Sequence, residues 1–505
     1  LIFNKKILCL GNNSRDTDDK TTELSQQGNS VNHGLIDRCD FIPNDFGYYH
    51  TSLTDLSLGD ILQLADRFDK IILLDQPSSE WSHTKLLLST YKLMKELERL
   101  GHDTEYKDNN NIKKYDLFNN ILKENKSFCI YPWINLIEEH GYTTVCARSQ
   151  AKVTTIKEIG DWKTNPDYQA IRQSMLKGEM MPDRCSTCYY YESHDIESYR
   201  IHETLDWVSK LDINSLEDLD KITRPYYHEI RLSNKCNLMC RSCKPEHAHL
   251  IDQEYKKFNI IYPGPQSFKY SSTAHIDIET LDPKTRVYLT GGDPTVITEV
   301  YDFMERCIER GRTDFDFTLG INGAKLSPRF LELTDHFTNL NFSISLDGYG
   351  RINDYWRWGS DWDTIIKNMH LLGSRGHTLS INCVPGIYNV TNLHLLFEFL
   401  DREFPTTTIY TQINNLSFQS VFIHPNAKLV VESMERCKQT KVYDADGKST
   451  KTAIDSLYSY YINNPTCDLN LLKEFFEYND KLDQSRNVKL ADYIPELEEC
   501  RKYIK

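Results

Sequence analysis

The sequence predicts an α/β protein centred on an open, partial (β/α)6 barrel, preceded by two smaller units and followed by a helical tail. Three observations predict it. Between residues 226 and 420, short apolar runs alternate with amphipathic helical stretches. Residues with chemical potential fall just past the ends of those runs, where barrels of this type carry their working loops. Seven of the fourteen cysteines gather in two groups, within 129–188 and 236–243.

Residues 1–115 read as a small α/β unit of unassigned role. Apolar runs at 6–10 and 70–75 are buried strands, and the polar stretch 12–32 is a loop. A helix over 84–100 puts Leu87, Tyr91, Met94 and Leu97 near one face. Gly11-Asn12-Asn13 is too little to cradle a phosphate. The segment 107–115, rich in Asn, Asp and Lys, reads as a linker. Residues 127–200 carry the first cysteine group and a helix with Tyr168, Ile171 and Met175 on one face. Barrel strands are expected at 229–232, 287–289, 316–319, 342–346, 379–384 and 409–413. Helices between them share faces such as Val296, Val300, Phe303 and Cys307, or Leu393, Leu396, Phe397 and Leu400. Six repeats are too few to close an eight-fold barrel. Residues 430–505 read as helical.

A chain of 505 residues is too long for one core. Its net charge of −14 argues against general nucleic-acid binding. No apolar run approaches the ~20 residues that span a bilayer. A secretory pattern is lacking, and the chain starts at Leu1 rather than Met. We therefore expect a cytoplasmic protein with no membrane partner. Fourteen cysteines without a secretion signal point to metal or iron–sulfur ligation rather than a disulfide framework. The scattered Cys9, Cys39, Cys307, Cys383, Cys437, Cys467 and Cys500 read as ordinary apolar residues.

The second cysteine group is Cys236-Asn-Leu-Met-Cys240-Arg-Ser-Cys243, just after the first barrel strand. Three thiolates this close can hold three irons of a cubane and leave the fourth iron open. Zinc is the competing reading, because Cys243-x3-His247 would complete a Cys3His set. Otherwise His247 and His249 are outer residues on the following helix.

This pattern resembles the radical S-adenosylmethionine (SAM) superfamily, whose signature is Cys-x3-Cys-x2-Cys on the loop after the first strand. The family often has an aromatic residue where this chain has Ser242. The resemblance implies that Cys236, Cys240 and Cys243 bind a [4Fe–4S] cluster and that the open iron binds SAM. Paired glycines at a strand end, Gly291 and Gly292, allow close backbone approach to a ligand. With Asp293 they are similar to the family's Gly-Gly-Glu-Pro stretch, which holds the amino group of SAM; Asp293 has a shorter arm than the family's Glu. Read without the resemblance, Gly-Gly-Asp-Pro is a turn. Ile321-Asn322-Gly323 resembles a family Thr-Asn-Gly, or is simply a tight turn. Ser345, near Asp347-Gly348, would by resemblance bond the ribose region, and Arg357 would pair with the SAM carboxylate. A surface ion pair is the plain alternative for Arg357. Val384 resembles the apolar segment behind the adenine.

Cys129, Cys146, Cys185 and Cys188 could supply four thiolates to zinc or to a fully ligated [4Fe–4S] cluster, and spacing does not choose. Together with Gly141 they resemble the twitch and SPASM domains of the same superfamily, which carry auxiliary clusters. That domain usually follows the barrel and here precedes it. The further cysteines of a two-cluster domain are absent, which favours the twitch form. The resemblance implies reductive cleavage of SAM to a 5′-deoxyadenosyl radical that takes hydrogen from a substrate, with a peptide or protein as the default. It also implies an electron donor such as flavodoxin or ferredoxin. The alternative is an iron–sulfur protein that binds SAM or transfers electrons without turnover, and a zinc-stapled interaction scaffold is a third reading.

Overall fold

The computed structural model describes residues 6–11, 30–35, 70–73, 94–95, 97–101, 104–106, 109–139, 142–147, 149, 161–193, 198–260, 276–411, 417–443, 449–463 and 467–504. It divides into two compact units: Leu1–Trp133 with Ala170–Thr223, and Ile134–Gln169 with Arg224–Lys505.

The first unit holds strands β1 (Lys6–Gly11), β2 (Ser30–Leu35), β3 (Lys70–Leu73) and β4 (Thr104–Tyr106). They form a parallel sheet in the order β2-β1-β3-β4. Two sequence expectations need correction here. The expected loop 12–32 runs into β2, which pairs with β1 from Lys6↔Ser30 onward. Its strand character comes from that partner, because its own polar residues conceal it. The expected linker 107–115 runs into a helix, Asn109–Glu124, with Tyr115, Phe118 and Leu122 buried. Three leading asparagines, poor helix formers, masked that apolar spacing. Of the helix expected over 84–100, Met94 and Leu97 are helical and buried, while Leu87 and Tyr91 lie outside the described residues.

Arg200 organises the rest of this unit. Its side chain is 1% exposed and ion-paired with Glu192 at 2.5 Å. The guanidinium also donates to the carbonyls of Asn125 (3.1 Å), Phe128 (2.9 Å) and Leu122 (3.2 Å). One cation thereby satisfies three main-chain acceptors beside Cys129.

The second unit is built on one eight-stranded sheet, in the order β12-β11-β10-β9-β8-β7-β5-β6. Its strands are β5 (Asn135–Glu139), β6 (Tyr142–Thr144), β7 (Tyr227–Arg231), β8 (Arg286–Thr290), β9 (Asp316–Ile321), β10 (Leu340–Ser345), β11 (Thr378–Cys383) and β12 (Thr408–Thr411). All six expected barrel strands are present as β7–β12, parallel and adjacent in chain order. The sheet also extends past β7. β5 pairs parallel with β7, and β6 antiparallel with β5. Part of the segment expected as a separate cysteine domain is therefore strand in the barrel sheet. Residues 412–413, the end of the last expected strand, lie outside the described residues.

The two faces of β7–β12 differ sharply. Ile230, Val287, Leu289, Phe317, Leu319, Ile344 and Ile381 belong to a core with Val300, Phe303, Met369, Leu396 and Phe397 of the intervening helices. Burial of this apolar face, at roughly 25 cal/mol per Å2, is the main force holding the helices on the sheet. The other face is polar. Register aligns Glu229, Tyr288, Thr318 and Asn341 in one layer. The next layer up aligns Arg231 with Thr290, and Gly320 with Ser343 and Ser380. Gly320 makes room for a neighbour, since a Cβ there would stand 2.7 Å from the Tyr288 hydroxyl.

Helices Ala427–Cys437, Ser449–Asn463 and Leu469–Arg486 make up most of the C-terminal region. Cys307, Cys383, Cys437 and Cys500 are buried, as expected of apolar packing, and Cys467 is half-buried. Cys9 lies in β1, and Cys39 lies outside the described residues. Among the described residues no helix is long and apolar enough to cross a membrane.

Candidate functional site

β7 ends at Arg231, and the chain turns through Ser233, Asn234 and Lys235 into the cysteine loop. Main-chain hydrogen bonds hold that turn. The N–H of Gly292 donates to the Ser233 carbonyl at 2.6 Å, and that of Asp293 to the Lys235 carbonyl at 2.9 Å. Gly291 has φ +131°, and a Cβ on it would sit 2.6 Å from the Ser233 oxygen. A Cβ on Gly292 would overlap the Lys235 carbonyl. The close approach that the glycine pair allows is thus to the backbone of the cysteine loop itself.

The three cysteines follow this turn in the chain. Burial, then the neighbouring Cys240 and the Asp293 carboxylate, push the Cys236 thiol up to about 12. Burial likewise raises Cys240, against the pull of the Arg357 charge. Cys243 is raised by burial and by Cys240 and Cys236. A metal offsets such a shift, because ligation replaces the thiol proton with a cation. Among the described residues no three Cys, His, Asp or Glu side chains converge on a single-ion site. Cluster thiolates need not converge that way, since each binds a different iron.

The surrounding residues fix the thiols' setting. His249 Nδ1 accepts from the Cys236 N–H at 3.2 Å, which makes it an outer partner of the loop. Asn322 Nδ2 donates to Asn237 Oδ1 at 2.8 Å and lies 3.9 Å from Cys236 Sγ. Arg357 Nη1 lies 3.9 Å from Cys240 Sγ. Its Nη2 pairs with Asp347 Oδ2 at 2.7 Å, with side-chain exposures of 13% and 2%. The ion pair is buried, not at the surface. Arg357 Nε is a buried donor with no protein partner.

Asp293 is fully buried and occupied by the protein. Its Oδ1 accepts from the Thr295 N–H at 2.9 Å and from the Thr295 hydroxyl, and Oδ2 accepts from the Asn322 N–H at 2.6 Å. The shorter acid thus ties the glycine turn to the end of β9. Ser345 ends β10, aligned with Asn382. Val384 donates its N–H to Asp347 Oδ1 at 2.8 Å and is half-buried. Sequence reasoning gave Asp347 and Asn237 no role. The signal for Asp347 was its place at a strand end, ten residues before Arg357.

The other cysteines are distributed differently. Cys185 and Cys188 are one turn apart on helix Pro182–Ser193, and Cys129 precedes the short helix Tyr131–Ile134. These three belong to the first unit, whereas Cys146 follows β6 in the second. Burial and then the Cys188 charge push Cys185 up to about 11. Gly141 lies outside the described residues.

Residues 230–400 match the family described as the radical SAM superfamily. The chain carries a radical SAM domain. Solved structures with some likeness include native anSMEcpe with bound AdoMet, at 13% identity and a TM-score of 0.31, over 48% of this chain and 62% of that one. Streptococcus suis SuiB bound to S-adenosylmethionine is similar at 15% identity and a TM-score of 0.28, over 47% of each chain. TsrM from Kitasatospora setae, a radical S-adenosylmethionine methyltransferase with cobalamin and [4Fe–4S] cluster bound, is similar at 10% identity and a TM-score of 0.29, over 96% of this chain and 100% of that one. The chain spans less than two thirds of the length of the first two. No curated protein matches it. The radical SAM domain coincides with β7–β11 and their helices, and it contains the cysteine loop, the glycine turn, Asn322, Ser345, Arg357 and Val384.

Proposed function

We propose that the chain is a radical SAM enzyme whose Cys236, Cys240 and Cys243 hold a [4Fe–4S] cluster and whose barrel mouth binds SAM. The observation that carries this is three half-buried cysteines on one short loop after β7, with the Arg357 guanidinium 3.9 Å from Cys240 Sγ and its buried Nε unused by the protein. When bound, the cluster and SAM supply one-electron reductive cleavage to methionine and a 5′-deoxyadenosyl radical, which takes a hydrogen atom from substrate.

The chain's own residues position and exclude. Arg357 sets a fixed positive charge beside Cys240, and its free Nε suits a carboxylate acceptor. Asp347 orients Arg357 and holds the Val384 segment by the same carboxylate. The polar inner face of the barrel supplies hydrogen-bonding groups, which suits a polar substrate such as a peptide or protein segment. Cys129, Cys146, Cys185 and Cys188 are proposed as ligands of an auxiliary [4Fe–4S] cluster of twitch type, and flavodoxin or ferredoxin as the electron donor.

The test is anaerobic reconstitution followed by reduction with SAM present. Wild type is expected to release 5′-deoxyadenosine and Cys240→Ala to release none. Release at the wild-type rate by that variant overturns the proposal. A cluster-loaded wild type that binds SAM without cleaving it supports the non-catalytic reading instead.

A further inference from the structure

Arg241 stands between the second and third cysteines of the loop, and the chemistry above gives it no task. Yet its side chain is 0% exposed, and burying a guanidinium is costly unless its donors are matched. The matching comes from the far end of the chain. Nη2 pairs with Asp483 Oδ1 at 2.7 Å, and Nη1 donates to Asn479 Oδ1 at 2.9 Å, both on helix Leu469–Arg486. Nε donates to the Tyr355 carbonyl at 2.8 Å, and the guanidinium lies 3.6 Å from the centre of the Tyr355 ring.

The main chain of Arg241 is held as firmly. Its N–H donates to the Trp356 carbonyl at 2.7 Å. Its carbonyl accepts from Gln419 Nε2 at 2.8 Å and from the hydroxyl of Tyr478, on the same C-terminal helix, at 3.0 Å. The neighbouring Ser242 hydroxyl accepts from Trp356 Nε1 at 2.8 Å. Further along, Arg486 grips Glu254 through two hydrogen bonds of 2.9 and 2.7 Å. Glu254 sits on helix His249–Phe258, directly after the loop. The C-terminal helix thus engages both the loop and the helix that leaves it.

We propose that helix Leu469–Arg486 braces the cysteine loop in its ligating position, with Arg241 as the positioning residue. The proposal rests on the cluster reading of that loop. Outer partners fix the orientation of first-sphere ligands, and losing one typically weakens metal binding or activity about 10- to 100-fold. Stability alone would require only that Arg241 be matched. Bracing requires that the matching govern what the cysteines hold.

The experiment uses the full chain, anaerobically reconstituted, with Arg241→Lys, Asp483→Asn and the exposed control Glu477→Ala. Melting temperature reports folding. Iron and sulfide per chain, and the SAM-induced change in the electron paramagnetic resonance of the reduced cluster, report the loop. Glu477→Ala is expected to match wild type. Arg241→Lys keeps the charge but loses the fork. It is expected to fold while its apparent SAM affinity or cluster loading falls about tenfold. If it does not fold, Tyr478→Phe, which removes one bond to the Arg241 carbonyl, is expected to show a smaller loss of the same kind. A folded Arg241→Lys or Tyr478→Phe with wild-type loading and SAM response overturns the brace. Wild-type protein with no cluster dependent on Cys236, Cys240 and Cys243 overturns the cluster reading itself, and the brace with it.

Discussion

The two cysteine groups are assembled by different means. Cys236, Cys240 and Cys243 sit on one loop of eight residues, inside one compact unit. Cys185 and Cys188 share one helix of the first unit, Cys129 lies apart from them in that unit, and Cys146 belongs to the second. Their nearby cations differ too. Arg357 reaches toward Cys240 Sγ and keeps one N–H unused. Arg200, near Cys188, is occupied by Glu192 and three main-chain carbonyls. The lesson is that local spacing alone gathers Cys236, Cys240 and Cys243, whereas in the other group it gathers only Cys185 and Cys188.

The largest expected effect separates the groups chemically. Cys240→Ala should abolish formation of 5′-deoxyadenosine, whereas Cys185→Ala should leave it measurable by chromatography. Equal loss in both variants would break the distinction. Next, Arg200→Met strips Glu192 of its buried cation and should destabilise the first unit by about 4 kcal/mol in urea unfolding. The cluster signal of the cysteine loop should survive this change. If that signal vanishes in protein still folded, the loop is not independent of the first unit.

Gly292→Ala acts in the opposite direction. Its Cβ would overlap the Lys235 carbonyl, so the backbone leading into Cys236 must shift, at a cost of about 3 kcal/mol. Iron content should fall at the loop while Cys185 and Cys188 stay unaltered toward thiol reagents. A variant that melts like wild type would show that the turn yields more easily than its packing suggests.

The smallest effect concerns pH and the second unit. His424 is 1% exposed, and burial pulls its imidazole down to about 4. The unfolded chain takes up that proton near 6.5, while the folded chain stays neutral until about 4. Stability contributed by the neutral ring is therefore present above about 6.5 and is lost as pH falls toward 4. Between pH 7 and 5 the loss should be about 2 kcal/mol, and His424→Gln should flatten that slope. An unchanged slope in the variant would assign the pH dependence elsewhere.

Much of the barrel is legible in the sequence alone. Strand and helix periods are local, so all six barrel strands could be placed to within a few residues. The cysteine loop was equally plain, because its ligands lie within one short stretch. The helix Asn109–Glu124 and strand β2 were hidden by polar residues whose conformation is decided by their neighbours. Nothing local said that β5 and β6 would extend the barrel sheet, since pairing partners far apart in the chain leave no periodic trace.

Residue types and spacing were enough to specify a parallel α/β barrel and three thiols at its mouth, because both are written in stretches shorter than a few turns of chain. Folding decided which partner each charged group takes. Asp293 turned to Thr295 and Asn322, Arg357 to Asp347, and Arg241 to an aspartate 242 positions away. A buried charge must find its counterpart wherever the packed chain brings one, and that is a property of the whole fold rather than of any segment.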